Sequence, residues 1–386
     1  MRGNTSLKVD EMLEKILLIG SAGSVGHDMV YLIAGMTSEI SVVGADIDEE
    51  KGQYEIEESL HIAHTLGNYP DLSFRKINLF EIDETAELLK EIKPTVICNL
   101  ASLGSWWVTR LLPIEVYEEI CPVGPWLPNH LTLAHKLMTS VRKSGIETRV
   151  VNGAFPDLTN VVLGKIGLEP TCGGGNMDLG CLRVKRIVAR QMGVPYRNVQ
   201  VYGVGHHGSY YTAHMSGPMR LKIIVDGEDV TGKFPNSRIA QFYREAGFSK
   251  RSSYKGPLVD QMHTAASFLK HVLAIYYDTG ELQTCVAGPC GLPGGYPTRL
   301  SLKGAEVTVP DMSIEEAVKI NEAGGRIDGI EGVKDDGTVV FVEKNVDLMR
   351  EVVGYECEEL KVSESEERAR ELNSKLKKLY EKYNVS

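Results

Sequence analysis

Apolar residues in the first part of the chain fall into short unbroken runs, separated by stretches with helical spacing. KILLIG, 15–20, is a continuous run of the kind a parallel sheet buries on both faces. A turn punctuated by glycine follows, and then HDMVYLIAGM with helical spacing. The alternation continues. EISVVGADID predicts a second strand with an acidic end, LSFRKINLF a third, ETAELLKEIK a helix with a polar face, and PTVICNLAS a fourth strand. LTLAHKLMTSVRKSG predicts a helix stopped at Gly145, and ETRVVNGA a fifth strand. Strands alternating with helices imply βαβ units and an α/β, doubly wound Rossmann sheet over residues 13–158.

The pattern changes over residues 159–386. MDLGCLRVKRIVARQMGV predicts a long helix ending at Gly193, and NVQVYGVG a strand leading into HHGSYYTAH. MRLKIIVDGEDVTGKF predicts a hairpin turning at Asp226-Gly227. PLVDQMHTAASFLKHVLAIYYDTG is a long helix with an apolar stripe. The stretch from Thr284 to Pro310 is rich in Gly and Pro, with short strands. KVSESEERARELNSKLKKLYEKY predicts a charged helix whose leucines dock it on the body. This half reads as an α+β substrate domain.

A length of 386 residues, 42% of them hydrophobic, suits two domains that need no disulfide or metal staple. The net charge of −10 argues against a nucleic-acid partner. No apolar run approaches the roughly 18 residues of a membrane span, so no membrane partner is expected. Seven cysteines without a C-x-x-C pair suit free thiols in a reducing compartment. With no apolar signal-peptide core at the N-terminus, the expectation is a cytoplasmic protein without a bound metal.

Candidate chemistry begins at the glycine turn. Gly20, Gly23 and Gly26 follow a strand and open a helix. Gly20 permits the tight turn, Gly23 lets backbone approach a pyrophosphate, and Gly26 allows close helix–strand packing. Ser24 and Val25 complete the turn, where the helix N-terminus offers unpaired N–H groups and a positive dipole end. Asp46 ends the second strand, twenty residues past Gly26. A carboxylate there accepts hydrogen bonds from ribose hydroxyls and repels a 2′-phosphate, which favours NAD over NADP. Ala101, in CNLAS, ends the fourth strand on the expected nicotinamide path.

Asn176-Met177-Asp178 opens a helix, and Gly205-His206-His207-Gly208 follows a strand about thirty residues later. With GVPYRNVQVYGVG and VVNGAFPDLTNVVLGKIG, these segments resemble the lactate/malate dehydrogenase family. The resemblance spans most of residues 13–310 and fades beyond. It implies an NAD-dependent dehydrogenase acting on a secondary alcohol. His207 would be the general acid/base and Asp178 the carboxylate that orients it, although Asp178 also sits where a helix cap would. Asn152 would be the NAD-side asparagine, with Gly153 one residue away as the alternative. The family associates through helices, so a homodimer or homotetramer is implied, with a small molecule as the other partner.

The family pattern breaks where its carboxylate-binding Arg should stand, at Cys181. Arg183 matches a second family Arg, on what should be another helix face. The loop LGSWWVTRLLP offers Arg110 as a replacement, with Trp107 as a possible substrate contact. A hydroxy acid and a sugar-like alcohol both remain open as substrates. Two other readings also remain open. One is an NAD- and metal-dependent family-4 glycosidase, which would use His206. The other is a non-catalytic NAD-binding sensor. The Tyr-x-x-x-Lys pair of a short-chain reductase is missing.

Overall fold

The computed structural model describes residues 15–36, 40–104, 106–246 and 258–385, with backbone alone at 106, 107 and 258–260. The apolar runs form a parallel sheet of six strands: β1 (Lys15–Ile19), β2 (Ser41–Asp46), β3 (Asp71–Lys76), β4 (Val96–Asn99), β5 (Arg149–Asn152) and β6 (Cys172–Gly173). Their spatial order is β3-β2-β1-β4-β5-β6, the doubly wound arrangement. The connections carry α1 (Ser24–Ala34), α2 (Glu49–Thr65), α3 (Ile82–Ile92), α4 (Trp106–Thr109), α5 (Ile114–Ile120), α6 (Leu127–Ser144) and α7 (Pro156–Lys165). The two-residue period of β1 sends Ile16 and Leu18 to one core, with Met29 and Ile33 of α1. It sends Leu17 and Ile19 to the other, with Leu89 of α3 and Leu131 of α6.

The second half opens with α8 (Met177–Met192). Strands β7 (Val199–Gly205), β8 (Met219–Val225) and β9 (Glu228–Asp229) follow, then α9 (Asn236–Glu245), α10 (Leu258–Tyr276), β10 (Leu282–Ala287), β11 (Gly295–Ser301) and β12 (Gly304–Val307). The antiparallel order is β10-β11-β7-β8-β9, with β12 beside β11. Asp226 and Gly227 both take positive φ, 52° and 85°, at the β8–β9 turn, as a two-residue hairpin requires. Next come α11 (Ile314–Ile327), β13 (Ile330–Val333), β14 (Val339–Phe341), α12 (Glu343–Val352), β15 (Glu359–Leu360) and α13 (Ser365–Lys382). Helix α13 docks as its leucines foretold. Leu372, Leu376 and Leu379 are buried in the core that α6 shares, and Lys136 of α6 pairs with Glu366 at 2.9 Å.

Two features depart from a division at residue 158. The parallel sheet continues to Gly173. Helix α10 returns to the first half, where Ala265, Phe268 and Val272 join the core of Ile16, Leu18 and Met29. Both bring residues from the second half against the parallel sheet. Among the described residues no helix is long and apolar enough to cross a membrane.

Candidate active site

A cavity of about 620 Å³ opens along the carboxyl ends of the parallel strands, where doubly wound sheets bind ligands. The glycine turn forms one wall. Gly20 has φ +83°, and a Cβ there would stand 2.8 Å from the Ala101 nitrogen. A Cβ on Gly26 would lie 2.1 Å from the Gly20 oxygen, so only glycine lets α1 start this close to β1. A Cβ on Gly23 meets only the Gly20 oxygen, at 3.1 Å, so a side chain there would occupy cavity space. The first turn of α1 carries no acidic residue, which leaves its amide end open to an anion. Ser24, Val25, Asp46 and Ala101 also line this wall. Asp46 Oδ2 accepts from Ala22 N–H at 3.1 Å and Oδ1 from Asp48 N–H at 3.1 Å, which fixes the carboxylate beside the turn. These residues fit a dinucleotide: an amide cradle a Cβ would fill, and an oriented carboxylate for the ribose.

The other end of the cavity holds His207, whose side chain is 13% exposed. Its backbone N–H donates to Asp157 Oδ1 at 3.0 Å, and its ring stacks on Tyr211 with centroids 5.3 Å apart. Its Nδ1 lies 2.7 Å from Oδ2 of Asp328. Asp328 is fully buried, also accepting from Val123 N–H at 3.0 Å and Thr212 Oγ1 at 3.3 Å. Burial pulls the His207 pKa down, but the charge and hydrogen bond of Asp328 outweigh it and hold the pKa above its ordinary value. Asp328 itself is held low: burial pushes up, and the His207 charge and bonds pull down further. His206 Nδ1 accepts from Gly208 N–H at 3.1 Å, and burial lowers that imidazole's pKa. A carboxylate that orients an imidazole and stabilises its charged form is the arrangement of a general acid/base.

The carboxylate beside His207 is therefore Asp328, not Asp178. Asp178 is fully buried behind the cavity, held by Lys270 Nζ at 2.7 Å, Ser267 Oγ at 2.6 Å and Thr284 Oγ1. Cys181, one turn on, faces the same way, against Gly203 and the thiol of Cys285. Leu179 and Arg183 take the cavity face instead. The family's Arg position thus points into the core here, and Arg183 points at the site. Asn152 also misses the cavity. Its amide is buried between Asn99 at 3.0 Å and Asn160 at 2.9 Å, and Gly153 lines the wall in its place.

Arg110 and Arg183 both reach the cavity, each held by one of two consecutive tyrosines. Arg110 Nη2 donates to Tyr211 Oη at 2.6 Å; Arg183 Nη1 donates to Tyr210 Oη and, at 2.9 Å, to Tyr243 Oη. The Trp107 side chain lies outside the described residues. Asn176 starts α8 at φ 51°, and Phe155 precedes α7 at φ 46°. Non-glycine residues held at positive φ cost about 1–3 kcal/mol each, and both line the cavity. Among the described residues no group of three or more His, Cys, Asp or Glu is placed to hold a metal.

Sequence reasoning missed Asp328. Two local signals pointed to its helix. Ser313 and Glu316 form a capping box that starts α11. Gly324-Gly325 costs helix propensity and so asks for a packing reason. That reason is the histidine loop: a Cβ on Gly208 would stand 2.3 Å from the Gly324 oxygen, and one on Gly324 2.5 Å from Ser209 Oγ. The glycines let α11 approach until Asp328, just past its end, meets His207.

No protein-family model and no curated protein matches the chain. Solved structures do. A lactate dehydrogenase from a Medee basin deep-sea metagenome library superposes with TM-score 0.57 at 15% identity, over 87% of this chain and 98% of its own. The malate dehydrogenase of Picrophilus torridus gives 0.58 at 18%, over 82% and 97%. The Cryptosporidium parvum lactate dehydrogenase complexed with lactic acid and NAD gives 0.56 at 19%, over 81% and 95%. The fold is that of lactate and malate dehydrogenases.

Proposed function

We propose that this protein is an NAD-dependent oxidoreductase that interconverts a secondary alcohol and its carbonyl. The observation that carries the reading is that His207, paired with the buried Asp328, opens onto the same cavity as the glycine turn and Asp46. Gly20, Gly23 and Gly26 with the α1 amides would hold the pyrophosphate, and Asp46 the adenosine ribose. NAD bound there supplies the hydride acceptor. His207, neutral before oxidation, takes the hydroxyl proton on Nε2, while Asp328 keeps Nδ1–H pointed at itself and stabilises the imidazolium. In reduction His207 returns that proton. Arg110 and Arg183 orient the oxygens of the alcohol's substituents. The likeness to a dehydrogenase solved with lactic acid and NAD supports the same placement.

The test is a screen for reduced-cofactor absorbance with NAD and a panel of 2-hydroxy acids, polyols and sugar derivatives, with and without chelator. Turnover that withstands the chelator is expected, and His207→Asn should abolish it while NAD still binds. Activity lost on chelation would favour the metal-dependent glycosidase instead. Bound NAD with silence across the panel would favour the sensor.

A further inference from the structure

A second cavity, of about 160 Å³, adjoins the large one, and Gly104 and His130 line both. Its remaining walls include Val108, Trp126 and, from α13, Leu376 and Tyr380. The polar groups around it are mostly spoken for. Asn129 and Asn373 exchange two amide hydrogen bonds of 2.9 Å, and Asn373 also donates to Leu103 oxygen at 3.2 Å. The Trp126 indole N–H donates to Ile120 oxygen at 3.0 Å. Lys377 lies at the exposed rim, and none of the other described residues of the walls carries a charged side chain.

His130 is the exception. Its Nδ1 is buried without a hydrogen-bond partner among the described residues. Burial, with the charge of His207 adding to it, lowers its pKa to about 4, so the ring is neutral near pH 7. A buried N–H without an acceptor is rarer than a buried bare acceptor, so the proton belongs on Nε2. The ring then offers a ligand one neutral N–H at the neck between the two cavities.

A cavity of about 150 Å³ with apolar walls takes a benzene-sized ring. We infer that the alcohol carries an uncharged, ring-sized substituent, which occupies this second cavity and accepts a hydrogen bond from His130. This rests on the alcohol chemistry proposed above and adds what the C-terminal helix contributes: Leu376 and Tyr380 wall the pocket that selects the substituent.

Calorimetric titration of the full chain, with NAD added, tests it using three probes. Lactate and 3-phenyllactate differ by the ring; 3-phenoxylactate adds an ether oxygen. At least tenfold tighter binding of 3-phenyllactate than of lactate is expected. Val108→Phe and Tyr380→Trp, which fill the cavity, should erase that preference and leave the Kd for NAD unchanged. His130→Phe should erase any gain of the phenoxy over the phenyl probe. Equal binding of lactate and 3-phenyllactate, a preference that survives both filling variants, or no binding of any probe would overturn the inference. Ring-selective binding without NADH formation would count against the oxidoreductase reading alone. NADH formation from lactate without ring preference would count against the second cavity alone.

Discussion

Nδ1 of His207 and Oδ2 of Asp328 stand 2.7 Å apart across 121 positions of sequence. The carboxylate is fully buried, and it holds the imidazole pKa above its ordinary value despite burial. Asp328→Asn removes the charge and keeps the shape. In the proposed reaction alcohol oxidation needs neutral His207, so its rate should rise with pH through the His207 pKa. The variant's lower pKa should move that limb of the kcat/KM profile to lower pH. The plateau should fall about 10²-fold or more, within the range of general acid–base contributions. An unmoved limb would mean that another group titrates.

The same pair should shape stability against pH. The raised His207 pKa contributes stability that is complete below about pH 6.5 and lost as pH rises through the folded value. The depressed Asp328 pKa contributes stability that is complete above about pH 4 and lost as pH falls through the folded value. The gap between wild type and Asp328→Asn in urea unfolding should therefore be widest between about pH 4 and 6.5. It should narrow on either side; a gap independent of pH would show the two groups uncoupled.

Asp178 should behave as a structural residue. Its pKa is held low: burial pushes up, and Lys270 and the hydrogen bonds around it pull down further. Stripping one partner from a buried pair costs about 3–5 kcal/mol, and water reaching the one-third-exposed Lys270 places this case at the lower end. Asp178→Asn should lower Tm yet leave the His207 limb of the pH profile where it was. A shift of that limb would restore Asp178 to the catalytic pair.

The elements were legible where they depend on local pattern. KILLIG read as a buried parallel strand because, past its lysine, sheet burial on both faces leaves no polar position. Leu372, Leu376 and Leu379 read as a docking stripe because they recur on one helix face. The glycine turn was legible for the same reason, since a turn between strand and helix is a local object. The His207 partner was not, because it is a contact between distant segments that glycines in both bring together. Asp178 misled because N-x-D near a helix start does not say which way the helix faces. Its apolar stripe did: Met177, Cys181, Val184 and Val188 are buried, and Asp178 lies on that side, three residues before Cys181.

Asp46 should set cofactor choice. Its carboxylate is fixed by two backbone N–H groups beside the turn. Asp46→Ser should weaken NADH binding in fluorescence titrations and raise the NADPH-to-NADH affinity ratio, because a 2′-phosphate no longer meets a fixed negative charge. An unchanged ratio would remove Asp46 from the ribose site.

The glycines of the turn should separate folding from binding. Alanine at Gly26 would put its Cβ 2.1 Å from the Gly20 oxygen and 2.7 Å from the Ser21 Cα, both backbone atoms that cannot swing aside. Gly26→Ala should therefore lower Tm and lose NADH binding together. Alanine at Gly23 meets only the Gly20 oxygen at 3.1 Å, a contact that a small shift relieves. Its methyl would instead occupy cavity space, where the proposed pyrophosphate would approach the backbone. Gly23→Ala should hold Tm within a few degrees and still weaken NADH binding more than tenfold. If NADH binds the Gly23 variant as it does the wild type, the turn is a packing device and the cavity belongs to a different ligand.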